Sequence, residues 1–312
     1  MEAVTKGSSS LTYAVDLSDE SGNKIHAYVK VAPPDLPPVR NRDMLRQAAV
    51  LRVLGREGSV PVPRLLFEDG GSPPSEPPFF VTELAVGSAL EPLVDDSQLP
   101  PAQELAARVL GAAETLARLH RVGSNDLREY SGDSASEFAD LEFEVRRWAR
   151  VFSTVDLDLN GADEVCAMRL LAKTPKPLRR SIVHGDFRLG NIVCDGGHVI
   201  AVLDWEIWSL TDPRIDVGWF LMTLSADGLP SAIRTSAPGL PSPEEALSVY
   251  ETAIETKLAD LSWFGALSRF RAAAAMSLNI KHNRRRPTPD PRIESYAGKL
   301  PEFLALASDL IA

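Results

Sequence analysis

The stretch IVHGDFRLGNIVCDGGHVIAVLDWE, from Ile182 to Glu206, sets His184, Asp186, Asn191, Asp204 and Glu206 among runs of Ile, Val and Leu. Strands that apolar are ordinarily buried, and a buried carboxylate is costly unless it is paired or holds a metal. Gly196 and Gly197 suit a two-residue hairpin turn with positive φ. Counted outward from that turn, Asp195 is expected to face His198, Val193 to face Ile200 and Asn191 to face Val202. Asp204 then projects on the same face as Asn191, diagonally across the pair. Diagonal neighbours lie about 7–8 Å apart at Cα, so two oxygen-bearing side chains can converge on one ion. Mg²⁺ takes hard oxygen ligands, often only one or two of them from carboxylates of the protein, and Asn191 with Asp204 meets that need. Asp186 stands five residues before Asn191, in the loop leading into the hairpin. A free carboxylate there can accept a hydroxyl proton beside a metal-bound phosphate. A plainer alternative has His184, Asp186 and Asn191 only capping a turn, as Asx residues often do. Asn191 and Asp204 in register argue against it.

HGDFRLGN followed by AVLDWE resembles the catalytic and metal-binding motifs of the aminoglycoside phosphotransferase-like kinases. That family includes the kinase-like domains found beside some acyl-CoA dehydrogenases. The pattern is also similar to that of protein kinases, with Asp and Asn five apart and a metal-binding Asp further on. The resemblance, which extends over nearly the whole chain, implies Asp186 as catalytic base and Asn191 and Asp204 as Mg²⁺ ligands. It gives His184 the part of bracing the catalytic loop. DPRIDVGWF (212–220) is similar to the segment that follows in the family, where Asp216 is expected to be structural.

Such a kinase needs donors for phosphates, a cation and a slot for the base of ATP or GTP. Gly7 with Ser8, Ser9 and Ser10 precedes a strand, where the family has a small-residue loop over the phosphates. The same residues also make an ordinary turn. Lys30 is the lysine of the apolar stretch IHAYVKVA, one strand later, and its place matches the phosphate-binding lysine of kinases. A solvated outer-face lysine is the alternative. The helical glutamate that usually pairs with it is replaced by Gln47, and Asp43 is the candidate substitute one turn earlier. By resemblance, the main chain near Glu83 and Ala85 holds the base, although an ordinary buried strand ending at Gly87 needs the same apolar residues.

The elements around these residues read as two lobes. LTYAVDL and IHAYVKVA form a hairpin, NRDMLRQAAVLRVLG (41–55) has helical spacing with Gly55 as its stop, and two more strands follow in VPVPRLLFED and PPFFVTELAV. After Gly87 the pattern turns helical, with an amphipathic helix over 102–122. A capping box at Ser134 and Glu137 opens a helix to about Phe152, and a second at Ser242 and Glu245 opens helical sequence to about His282. The expected fold is therefore α+β and bilobal, protein-kinase-like, with a nucleotide lobe over 1–87 and a helical lobe over 88–312. The second lobe carries the catalytic loop, metal site and acceptor pocket.

Composition bounds the rest. The 312 residues are 44% hydrophobic and 24% charged, as in ordinary globular proteins. A net charge of −10 disfavours nucleic acid as a partner. No apolar run suits a membrane span, and the N-terminus lacks the pattern of a signal peptide. Cys166 and Cys194 lack metal or disulfide spacing, which points to the cytoplasm. GxxxxGK[ST], GxSxG and HExxH are absent. The expected activity is phosphoryl transfer to a hydroxyl of a small molecule, aminoglycoside-like or another alcohol. The alternative is a nucleotide-binding pseudokinase or scaffold. For the acceptor, Trp148, Trp263 and Arg284 are candidates, with the run KHNRRRP (281–287) either contacting an anionic acceptor or forming a solvated helix end.

Overall fold

Glycine and proline punctuation divides the first eighty residues into short strands around one helix, and the computed structural model shows that arrangement. It describes the whole chain except residues 1, 4–9, 19–21, 23, 34–35, 38–39, 74, 131–139 and 161–162. Strands β1 (Glu2–Ala3), β2 (Leu11–Ser18) and β3 (Lys24–Val31) are followed by α1 (Met44–Glu57), β4 (Leu65–Asp69) and β5 (Phe79–Glu83). The strands form one antiparallel sheet in the order β1-β2-β3-β5-β4. Asp43 caps α1 by accepting from the Arg46 N–H. The helix runs through Gly55 and stops at Gly58, whose φ of 72° supplies the left-handed closing residue. Gly55 is therefore an interior residue and not the stop.

The second lobe begins with α2 (Ala102–Arg121), then α3 (Leu141–Phe152) and α4 (Asp163–Ala172). The expected capping box at Ser134 and Glu137 lies outside the described residues, and Asp140 caps α3 through the Glu142 N–H. Short strand β6 (Ser181–Val183) pairs with β9 (Ser209–Thr211), and between them β7 (Ile192–Asp195) and β8 (His198–Val202) form the hairpin. Helices α5 (Arg214–Thr223), α6 (Pro243–Ile254), α7 (Leu261–Arg284), α8 (Pro291–Glu294) and α9 (Leu300–Asp309) complete the chain. The capping box at Ser242 and Glu245 opens α6 as expected. The helix α7 is buried on nearly every side, which removes a clean amphipathic stripe and makes it the central post of this lobe.

The lobes share a core. Met44, Ala48, Leu51 and Leu54 of α1 belong to the same buried cluster as Leu105, Val109 and Leu116 of α2 and Trp205 and Trp208. Polar contacts stitch the same seam. Trp208 Nε1 donates to the Arg46 carbonyl at 3.0 Å, the Arg46 guanidinium lies 4.2 Å from the Trp208 ring centre, and the Val202 N–H donates to the Pro61 carbonyl at 2.9 Å. The fold is bilobal and kinase-like.

Candidate active site

The hairpin turn sits at Gly196 as expected and Asp195 faces His198, but the register changes above it. Cys194 pairs with Val199 and Val193 with Ala201, so Ile200 is an extra residue on β8. Val193 therefore does not face Ile200, and Asn191 does not face Val202. Asn191 lies beside Leu203, whose N–H donates to the Asn191 carbonyl at 2.8 Å. On a flat ladder that one-residue slip would turn Asp204 to the opposite face. Asp204 instead has φ +63°, a left-handed conformation uncommon for residues other than Gly, Asn and Asp, and this re-aims its side chain.

Asp186 is held from three sides. Trp219 Nε1 donates to its Oδ1 at 2.9 Å, Asn191 Nδ2 to its Oδ2 at 2.9 Å, and Arg188 Nε lies 3.1 Å from Oδ2. Arg188 also donates to Glu91, which takes the Gly190 N–H as well. Burial opposes the charge of Arg188, but the Asp186 and Glu91 carboxylates outweigh it and raise its pKa. His184 is fully buried against Trp205, with ring centres 4.6 Å apart. Its Nδ1 faces the Asp186 N–H, which can only donate, so Nε2 carries the hydrogen and donates to the Leu203 carbonyl at 2.7 Å. One imidazole thus ties the loop of Asp186 to the residue before Asp204. Asp216 is buried beneath and accepts the His184 and Gly185 N–H groups at 2.6 and 2.8 Å. Burial works against its ionised form, but the hydrogen bond from His120 and the loop N–H groups prevail, and its pKa is lowered. Gly185 itself has φ +88° and packs against Ile207, whose carbonyl oxygen would lie 2.7 Å from a Cβ there.

From the other lobe, Lys30 Nζ reaches Asp204 Oδ1 at 2.9 Å. Burial raises the Asp204 pKa, but Lys30 first, then Arg188, bring it below the usual range. Lys30 pairs across from Thr12, directly after Ser10 and Leu11. Ser10 is buried, whereas Ser8 and Ser9 lie outside the described residues. Neither residue considered as the partner of Lys30 has that part. Gln47 is buried and donates to the Asn41 carbonyl, and Asp43 is consumed as the α1 cap. The Glu83 carboxylate bonds Arg64 at the sheet edge, and Ala85 lies in the linker that follows. That linker meets the hairpin where Ser88 and Cys194 exchange backbone hydrogen bonds at 2.9 Å each. Gly87 makes the approach possible, since a Cβ would lie 2.5 Å from the Cys194 carbonyl oxygen. Arg108 of α2 braces the same corner by donating to the Gly196 carbonyl and to Ser88.

Asn191 presents Nδ2 to two Asp186 oxygens, so its amide oxygen is the atom it could offer a cation. Among the described residues, no three His, Cys, Asp or Glu side chains gather as a metal cage. Asn191 with Asp204 therefore fits a cation that draws its remaining ligands from phosphate and water, as Mg²⁺ does.

On the helical side, Trp148 and Trp219 are part-exposed near the loop of Asp186. Trp263 is not available to an acceptor: it is 3% exposed, with its Nε1 on the Leu170 carbonyl. Arg284 is likewise engaged, by Asp156, Asp158 and Glu294. Sequence reasoning passed over Glu91, Trp219 and Arg271. Arg271 had a visible signal, a charge within the run FRAAAAM.

The phosphotransferase enzyme family (APH) matches residues 1–243. The chain belongs to that family. Mouse acyl-CoA dehydrogenase family member 10 is 28% identical over 246 residues, covering 74% of this chain and 22% of the relative. Human acyl-CoA dehydrogenase family member 11 is 28% identical over 265 residues, covering 81% and 33%. The chain thus spans about a fifth to a third of the length of these relatives. A Ralstonia eutropha structure assigned to the aminoglycoside phosphotransferases has TM-score 0.73 at 20% identity, covering 99% of this chain and 91% of its own. An amicoumacin kinase in complex with AMP-PNP and Ca²⁺ has TM-score 0.66 at 13% identity, covering 99% and 88%. These two share the fold.

Proposed function

We propose that the chain moves the γ-phosphoryl group of ATP or GTP, with Mg²⁺, to a hydroxyl of a small molecule. Residues 1–87 serve as the nucleotide lobe and 88–312 as the lobe of base, metal and acceptor. The observation that carries this reading is the meeting of Lys30 and Asp204 at 2.9 Å beside Asp186 and Asn191, since it joins both lobes at one charged site. The family match and the nucleotide-analogue complex of the amicoumacin kinase support it.

In this reading Lys30 and the Ser8, Ser9 and Ser10 loop hold the phosphates, and the main chain at Glu83 and Ala85 holds the base. Asn191 and Asp204 hold Mg²⁺, which when bound neutralises phosphate charge. Asp186 accepts the acceptor's hydroxyl proton as the oxygen bonds to the γ-phosphorus. The bond from that phosphorus to the bridging oxygen breaks, and its electron pair leaves with the nucleoside diphosphate. Trp219, Asn191 and Arg188 fix the carboxylate for that task. Both cysteines are free and buried, in keeping with work in the cytoplasm. No described helix is long and apolar enough to cross a membrane.

Gln47, which offers Lys30 no charge, favours a second reading as a nucleotide-binding pseudokinase. Calorimetry tests the part common to both. Wild type is expected to bind Mg·ATP, and Asp204→Ala to lose most of that affinity while keeping its fold. Unchanged Mg²⁺-dependent binding in the variant would remove Asp204 from the metal site.

A further inference from the structure

Arg271 reaches from α7 into the space between α3 and α5, and its residue is 4% exposed. One of its groups is placed: Nη2 donates to the Gly185 carbonyl at 2.7 Å, one residue before Asp186. Among the described residues, Nε and Nη1 have no hydrogen-bond partner although both are buried. Orphaned donors on a charged group are costly, and native proteins rarely retain them without use. The nearby carboxylates are committed elsewhere. Glu144 accepts from Arg147 and Trp148, one oxygen each, Asp216 takes the loop N–H groups, and Asp186 takes Trp219, Asn191 and Arg188.

What covers the guanidinium is aromatic. The Trp219 and Trp148 ring centres lie 5.1 and 5.4 Å from its central carbon. Both indoles are part-exposed, so Arg271 lies one side-chain layer below the surface. The Trp219 ring also joins it to the chemistry, because its Nε1 holds Asp186 Oδ1 at 2.9 Å. Burial lowers the Arg271 pKa first, with Arg147 adding to the effect against the pull of Glu144 and the two aspartates. Arg147 also opposes the charge of Arg46.

We propose that Arg271 is the acceptor-recognition residue, and that the acceptor is a hydroxycarboxylate whose carboxylate bonds Nε and Nη1 of Arg271 while its hydroxyl, a few bonds away, faces Asp186. The inference rests on the kinase reading above and names its substrate class. Entry of the carboxylate turns the Trp148 ring aside and gives the planar guanidinium a two-point partner, the geometry for which arginine is suited. The transfer itself is that already described: the hydroxyl oxygen gains the phosphoryl group, Asp186 its proton, and the nucleoside diphosphate the electron pair.

The experiment uses the full chain with Mg·ATP and matched pairs of short hydroxycarboxylates and their primary amides, read by ADP formation and by tryptophan fluorescence. Wild type is expected to favour acid over amide by about 10²-fold or more in kcat/KM. The acids alone should change the fluorescence. Arg271→Gln should bring the ratio near unity through a raised KM for the acid, with Mg·ATP affinity retained. Arg271→Lys should recover part of the preference. A role confined to propping the Gly185 carbonyl would alter kcat for acid and amide alike. Equal handling of acids and amides by wild type would overturn the proposal, even if Arg271→Gln fails to fold. ADP formation on neutral alcohols in that case would leave the kinase reading standing. Fluorescence changes with acids but no ADP would support the anion site and contradict the kinase reading. Neither signal with any acid would overturn the anion site.

Discussion

Tyr250, His120 and Asp216 form a buried polar chain beneath the catalytic loop. Burial raises the pKa of Tyr250, which stays protonated and donates to His120 Nδ1 at 2.7 Å, and His120 Nε2 faces Asp216 Oδ2 at 3.4 Å. Asp216 in turn accepts two loop N–H groups. A carboxyl whose folded pKa lies below its unfolded value of about 3.9 stabilises the fold at all pH above that value. That stability is lost as pH falls through the lower, folded pKa. Asp216→Asn is expected to cost roughly 1.5–3 kcal/mol at neutral pH and to flatten the acid limb of the stability curve. Urea unfolding at several pH values checks both, and an unchanged acid limb would deny Asp216 this role. Asp186, Asn191 and Asp204 were legible in sequence because polar residues between apolar strands need a reason. Glu91 and Arg271 were less so, because their positions follow from packing between elements far apart in the chain. Gln47 drew attention to the wrong partner for Lys30, since Asp204 lies 174 residues away.

At the scale of elements, the β7–β8 hairpin depends on a bulge that counting from Gly196 could not reveal. Alternation places residues on faces, but one extra residue at Ile200 reverses that placement, and the positive φ of Asp204 restores the side chain to the site. The α1 stop moved for a related reason. Gly55 fits helix interiors at a modest cost, while Gly58 takes the left-handed φ that ends them. The capping box of Ser242 with Glu245 was legible to the residue. Gly185 is the element-scale test of how the loop is held. Gly185→Ala would force a Cβ against the Ile207 carbonyl at a φ of +88°. The expected loss is roughly 1–3 kcal/mol of stability, with turnover falling further because the adjacent Asp186 is displaced. Denaturant titration beside ADP formation measures the two, and a variant as stable and active as wild type would show that the close approach does not matter.

For the whole molecule, the change from strand to helix after Gly87 is visible in the pattern, but not how the sheet and the helical part are joined. Pattern shows which face of α1 is apolar, not that the face packs on the second lobe. Trp208 with Arg46 and Pro61 with Val202 bind the sheet lobe to the second lobe, and Ser88 with Cys194 ties the end of the linker to the β7–β8 hairpin. This seam sets Lys30 against Asp204 and leaves Asp186 on the helical side, between the nucleotide lobe and Trp219 with Arg271. In the proposed reading, nucleotide and acceptor approach one carboxylate from opposite sides. The most direct measurement of that arrangement is Mg²⁺-dependent ADP formation by wild type and Asp186→Asn with the same acceptor, alongside calorimetric ATP affinity. Asp186→Asn is expected to lose about 10²–10⁴-fold in rate, while its ATP affinity stays unchanged because Lys30, Asn191 and Asp204 remain. Equal turnover by the two proteins would contradict Asp186 as the base.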